Sequence, residues 1–79
     1  MNTHHIHYYG LLADLRGVAE EAIRSAAQTP AEIYQEVLGS SYGITRDSIR
    51  AVVNDEFVPW DHPLRDQDRV AFLPPMSGG

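Results

Sequence analysis

Thr29-Pro30-Ala31-Glu32-Ile33-Tyr34-Gln35-Glu36-Val37-Leu38 reads as one amphipathic helix, and the rest of the chain organises around it. Thr29 offers a hydroxyl to the first free backbone N–H groups. Pro30 has its φ preset for the first helical position, and Glu32, three residues after the cap, completes a capping box. Ile33, Tyr34, Val37 and Leu38 then fall on a single buried stripe. Gly39 weakens the last turns by about 1 kcal/mol relative to alanine. Gly43 is the expected left-handed terminator.

On the N-terminal side, His5-Ile6-His7-Tyr8-Tyr9 alternates as a strand does, with Ile6 and Tyr8 on one face and His5, His7 and Tyr9 on the other. Gly10 follows, then a short turn of helix or loop over Leu11 to Arg16, stopped at Gly17. Residues 18 to 27 carry the helix-favouring Glu20, Glu21 and several alanines. Their place between a strand and a strong helix start nevertheless predicts a second strand. On the C-terminal side, residues 44 to 48 form a connection and Ile49 to Val53 a strand. Asn54-Asp55-Glu56 is a turn, and Phe57-Val58 a short strand limited by Pro59. Trp60 to Leu64 is a loop with a buried anchor or two. Asp66-Gln67-Asp68 turns tightly into the final strand, Arg69 to Leu73. This order predicts an α+β domain over residues 1–75, with a mixed sheet of four or five strands and one main helix on one face. The first and last strands, both apolar and free of mid-strand glycine, are the expected central neighbours. That layout is a β-grasp.

Composition agrees with one small domain. The chain has 79 residues, 43% of them hydrophobic, and seven aromatics to fill a single core. No apolar run approaches the roughly 20 residues of a membrane span, and Met1-Asn2-Thr3-His4-His5 lacks a signal pattern, so no membrane partner and a cytoplasmic location are expected. The net charge of −5 disfavours nucleic acid, whose binding rests on cationic contacts to phosphate. Cysteine is absent, which excludes disulfides, thiolate nucleophiles and cysteine zinc sites. Every basic residue other than histidine is an arginine, so no ε-amine exists to attack an activated carboxyl group.

The tail is the chemical feature. Pro74 and Pro75 cannot continue a central strand and favour extended geometry, so they eject residues 76–79 from the sheet. Met76-Ser77-Gly78-Gly79 then reaches roughly 13 Å from the body. Glycine has no Cβ, so Gly78 and Gly79 fit a narrow channel and leave the terminal carboxylate open to attack. If Val70 and Phe72 face the core, Ala71 and Leu73 face away from the helix, and Met76 extends that apolar patch along the tail.

Three stretches carry a resemblance: residues 8 to 17, residues 51 to 58, and above all Pro63-Leu64-Arg65-Asp66-Gln67-Asp68-Arg69-Val70-Ala71-Phe72-Leu73-Pro74-Pro75-Met76-Ser77-Gly78-Gly79. The chain resembles the MoaD/ThiS family of ubiquitin-like sulfur carriers, and its proline pair before Gly-Gly is more similar to the molybdopterin branch than to the thiamine branch. The resemblance implies that Gly79 is the reacting residue, adenylated and then converted to a thiocarboxylate that donates sulfur to cyclic pyranopterin monophosphate. It implies that Gly78, Ser77 and Met76 thread a partner's tunnel, and that Leu73, Ala71, Pro74 and Pro75 form the partner interface. The implied partners are a MoaE-type large synthase subunit and a MoeB-type activating enzyme that uses ATP, with no cofactor held by the chain itself. Catalytic acids and bases belong to those partners. The family commonly has glycine where Gln67 stands, so Gln67 either accepts a positive φ at roughly 1 kcal/mol or adopts another turn type.

Other constellations are weaker. His4, His5 and His7 lack a third ligand type nearby and are expected to be solvent-exposed strand histidines, so no metal site is expected. Asp66 and Asp68 fit either turn residues or contacts to a basic partner. Ser48, Asp61 and His62 make a triad only on paper, since no nucleophile elbow surrounds Ser48. Two alternatives to a molybdopterin carrier stay open: a carrier or modifier serving thiamine or another target, and a β-grasp interaction module whose Gly-Gly is inert.

Overall fold

The computed structural model describes residues 1–39 and 48–74. In chain order they form β1 (Asn2–Tyr8), α1 (Leu11–Arg16), β2 (Glu20–Ser25), α2 (Pro30–Val37), β3 (Arg50–Val53), β4 (Glu56–Val58) and β5 (Arg69–Leu73). The described strands make one sheet in the order β2-β1-β5-β3-β4. β1 and β5 run parallel at its centre, with Ile6 opposite Val70 and Tyr8 opposite Phe72. The other neighbours are antiparallel. This is the β-grasp arrangement, with the strand reading of residues 18–27 realised as β2.

Burial follows the two-residue period in β1, β2, β3 and β5. Ile6, Tyr8, Val53, Val70 and Phe72 point to the helix side and pack against Leu12, Ile33, Tyr34, Val37 and Leu38. Trp60 is the loop anchor. Its ring stacks on Phe72 at 5.8 Å between centroids, and Tyr34 meets both rings edge-on at 5.5 and 5.4 Å. Leu64 also packs against this core. Such edge and stacked pairs add to the stabilisation from burial alone.

Helix α2 begins as its sequence dictates. Thr29 Oγ1 accepts from the Glu32 N–H at 3.2 Å, while Glu32 Oε1 accepts from the Gln28 N–H at 2.6 Å. Its end differs from expectation. The helix stops at Val37, Gly39 takes the left-handed conformation with φ +61, and the N–H groups of Leu38 and Gly39 both donate to the Tyr34 carbonyl. Gly39 is therefore the stop and no burden on a longer helix, while Gly43 lies outside the described residues.

Two tight turns follow, one joining β3 to β4 and one leading into β5. Asn54 and Asp55 both have positive φ (51 and 72), as a two-residue hairpin of the I′ kind requires. Gln67 resolves the question left by its sequence: it accepts φ +70. Its N–H donates to the Thr3 carbonyl at 2.7 Å and its Oε1 lies 2.8 Å from His5 Nε2, contacts that offset the strain.

His4 corrects the expectation of exposed histidines. It is fully buried, on the face of Ile6 and Tyr8, and neither ring nitrogen has a hydrogen-bond partner among the described residues. Phe57 departs in the other direction: counted among the aromatics that fill the core, it is 64% exposed.

Candidate functional site

The site grows from the end of β5. Val70 and Phe72 are wholly buried, so Ala71 and Leu73 stand on the face of the sheet opposite α2, as the alternation predicts. The sheet register then decides their neighbours. Ala71 lies between His7 on β1 and Val52 on β3, and Leu73 lies opposite Arg50. Val52 in turn pairs with Phe57, whose ring carries the Arg50 guanidinium 4.9 Å from its centroid. The result is an open apolar band, Ala71, Leu73, Val52 and Phe57, edged by arginine. A hollow of about 80 Å³ in this face is lined by residues that include His7, Tyr9, Asp55, Arg69 and Ala71.

The same end of the sheet delivers the chain at Pro74. Because β1 and β5 are parallel, the turn after β1 and the exit of β5 lie together. Gly10 occupies that turn with φ 55 and ψ −130, and a Cβ placed on it would come 3.2 Å from Pro74 Cγ. Tyr9 and Leu11, half exposed, flank it. Pro75, Met76, Ser77, Gly78 and Gly79 lie outside the described residues.

Behind the exit is a polar brace that sequence reasoning did not identify. The Tyr8 hydroxyl donates to Glu21 Oε2 at 2.6 Å, and Arg16 Nε donates to the same oxygen at 2.6 Å. A second Arg16 nitrogen reaches Glu21 Oε1, and a third reaches the Val37 carbonyl at the end of α2. Hydrogen bonding from Arg16 holds the Glu21 carboxyl below its ordinary range, against the opposing effect of burial. Burial first, then the bond to Glu21, pushes the Tyr8 hydroxyl well above its ordinary value. Residues 16 and 21 are readable as an ion pair only once α1 and β2 are known to fold back on each other.

The acidic turn is structural in its contacts. Asp66 Oδ1 accepts from the Thr3 N–H at 2.7 Å, which lowers its carboxyl. Partial burial opposes ionisation of Asp68. The bonds from the Arg65 N–H and the Asn54 side-chain amide outweigh it, and that carboxyl is also lowered. His5 and His7 share the open face as expected, and His7 Nδ1 sits 3.3 Å from Glu20. Among the described residues, no helix is long and apolar enough to cross a membrane.

Comparison with known proteins places this geometry. The family described as the ThiS family matches residues 6–79. The molybdopterin synthase sulfur carrier subunit of Escherichia coli (strain K12) is 59% identical over 29 residues, which span 37% of this chain and 36% of that protein. The match thus spans about a third of the length of the curated relative. Among solved structures, SAMP1 (small archaeal modifier protein 1) from Haloferax volcanii superposes with a TM-score of 0.80 at 19% identity, covering 99% of this chain and 100% of that one. The complex of subunits 1 and 2 of the molybdopterin-converting factor from Helicobacter pylori contains a chain with a TM-score of 0.59 at 23% identity, covering 98% of this chain and 99% of that one. At such identities the structural likeness speaks to the fold, a ubiquitin-like β-grasp.

Proposed function

The chain belongs to the ThiS family, and on that premise we propose that it is a sulfur carrier acting as the small subunit of a molybdopterin synthase. Gly79 is the proposed reacting residue. A carboxylate is a poor electrophile, and adenylation by an ATP-using activating enzyme of the MoeB type installs a good leaving group with release of pyrophosphate. Sulfide-level sulfur delivered from outside then attacks the acyl carbon and AMP departs, leaving a terminal thiocarboxylate. This soft nucleophile forms a C–S bond to cyclic pyranopterin monophosphate inside a MoaE-type large subunit, which receives Met76, Ser77 and Gly78 as the threading arm, and water then cleaves the acyl C–S bond to return the Gly79 carboxylate. The carrier's own contribution is presentation. Ala71 and Leu73, with Pro74 and Pro75 beyond them, supply the docking band beside the tail.

The observation that carries this reading is the position of β5. The central strand, paired on both sides, ends at an exposed apolar band, and the family match continues from it through the Gly-Gly end. The local identity to the E. coli carrier favours the molybdopterin branch. The absence of lysine suits a carrier, since no ε-amine on these residues competes for the activated carboxyl.

Intact-mass measurement of the protein from its native host tests the proposal. The expected result is a population in which one oxygen is replaced by sulfur, abolished by deletion of Gly79, together with copurification of a synthase large subunit. Isopeptide conjugates in place of the sulfur form indicate a modifier, and copurification of a thiazole synthase indicates the thiamine branch. A Gly79 deletion that leaves activity intact ends the carrier reading altogether.

A further inference from the structure

The sheet has two outer strands, and they are not equivalent. β4 spans only Glu56–Val58 and runs into Pro59, whereas β2 spans Glu20–Ser25 and contains no proline. The phase of the β2 backbone is fixed by its ladder with β1. The Tyr8 N–H donates to the Ala19 carbonyl at 2.8 Å, and the register continues as His7 opposite Glu20 and Ile6 opposite Glu21. Residues whose backbone groups turn toward an antiparallel neighbour alternate with residues whose groups turn away. Ala19, Glu21 and Ile23 therefore bond inward, while Glu20, Ala22 and Arg24 direct their N–H and C=O groups outward. The side chains of these same residues are exposed.

We propose that this edge pairs with the β2 edge of a second copy of the chain, antiparallel, about a two-fold axis through Ala22. In that register Ala22 faces its own counterpart, and Glu20 faces the second copy's Arg24 twice over. Each of the outward-facing residues exchanges both backbone bonds with its opposite. Opposite charges directly across an antiparallel pair stabilise it, and like charges do the reverse. Neighbouring registers lack the match. Centring the axis on Glu21 sets that carboxylate against itself, and centring it on Ile23 sets Arg24 against Ala22 and Glu20 against Ala26. Exposed edges are commonly blunted by charge. Here the two signs are spaced so that a copy of the same strand neutralises them. His7, 3.3 Å from Glu20, leaves one carboxylate oxygen available for the incoming arginine.

The contact area of one short strand makes this a weak, concentration-dependent dimer. β1 separates β2 from β5, so pairing leaves the Pro74 exit and the open band beside it free. The dimer is thus independent of the carrier reading and compatible with it.

Sedimentation equilibrium of the full chain over a wide concentration range tests the proposal, with circular dichroism to confirm folding of each variant. The wild-type chain is expected to show a monomer–dimer equilibrium. Glu20→Arg and Arg24→Glu should each weaken it about tenfold, and the double exchange should restore it. Ala22→Pro should abolish it without unfolding the monomer, because an outward N–H on an edge strand is dispensable. A chain that stays monomeric at every concentration overturns the proposal. So does a dimer indifferent to Ala22→Pro and to both charge reversals, or one that the double exchange fails to rescue. Should a charge reversal unfold the chain, the Ala22→Pro result decides alone.

Discussion

Gly10 stands directly against Pro74: a Cβ on the glycine would lie 3.2 Å from the proline Cγ. The contact joins the turn after β1 to the point where the tail leaves the sheet, and the turn itself sits at φ 55 and ψ −130, where side chains are strained. Gly10→Ala should therefore cost about 1–3 kcal/mol, read by urea unfolding. Because the clash falls on Pro74, the adenylation of Gly79 proposed above should slow further than the loss of folded protein explains.

His4 is a fully buried imidazole with neither nitrogen hydrogen-bonded among the described residues. Burying an unsatisfied polar group costs about 1–3 kcal/mol. His4→Leu keeps a similar volume and removes both polar atoms, so it should stabilise the domain by about 1–2 kcal/mol in thermal or urea denaturation. His4→Ala should destabilise it by leaving a cavity. A leucine variant less stable than the wild type would show that the ring finds a partner.

The brace of Tyr8, Arg16 and Glu21 makes stability depend on pH at both extremes. Glu21 has a lowered native pKa, so near and below its ordinary 4.5 the unfolded chain takes up a proton more readily than the native one. Its stabilisation is complete above that value and is lost as pH falls through the lower native one. Tyr8 is the mirror case: its raised native pKa gives stability that is complete below 10.0 and is lost as pH rises above it. Glu21→Gln should flatten the acid limb and cost about 1 kcal/mol at neutral pH, a modest figure because the pair is partly solvated. Tyr8→Phe should flatten the alkaline limb. Melting temperatures recorded from acid to alkaline pH check both.

Leu73 emerges on the open face at the rim of the tail. If the proposed docking band is right, Leu73→Glu should leave the melting temperature within a few degrees of wild type while weakening binding to the proposed activating enzyme or large subunit about tenfold. Calorimetric titration with the purified partner reads this. Unchanged affinity would remove Leu73 from the docking band.

Periodicity made most of this fold legible. The stripe of α2, its cap at Thr29 and the alternation of Val70 and Phe72 with Ala71 and Leu73 are local signals, and local chemistry obeyed them. The errors arose where the deciding contact is distant in sequence. Gly39 looks like an interior weakness in the sequence because nothing nearby reveals that the chain turns away after Leu38. His4 resembles His5 and His7 by residue type, whereas its alternation with Ile6 and Tyr8 puts it inside. Phe57 is exposed because it pairs with Val52 on the open face, a register set by the Asn54–Asp55 turn. The brace at Glu21 joins residues from β1, α1 and β2, which no local pattern relates. The chemistry of Gly79 came from the tail's composition and the resemblance, since its residues lie outside those described.

The parallel union of β1 and β5 also sets a timetable for the molecule. One hairpin lies on each side of that seam, β1 with β2 and β3 with β4, and neither shares a strand with the other until β5 slots between them. The sheet therefore closes only when its last strand has arrived. A nascent or clipped chain without β5 is left with two unjoined strand pairs, so the strand that completes the scaffold is also the one that, on the proposed function, presents the docking band.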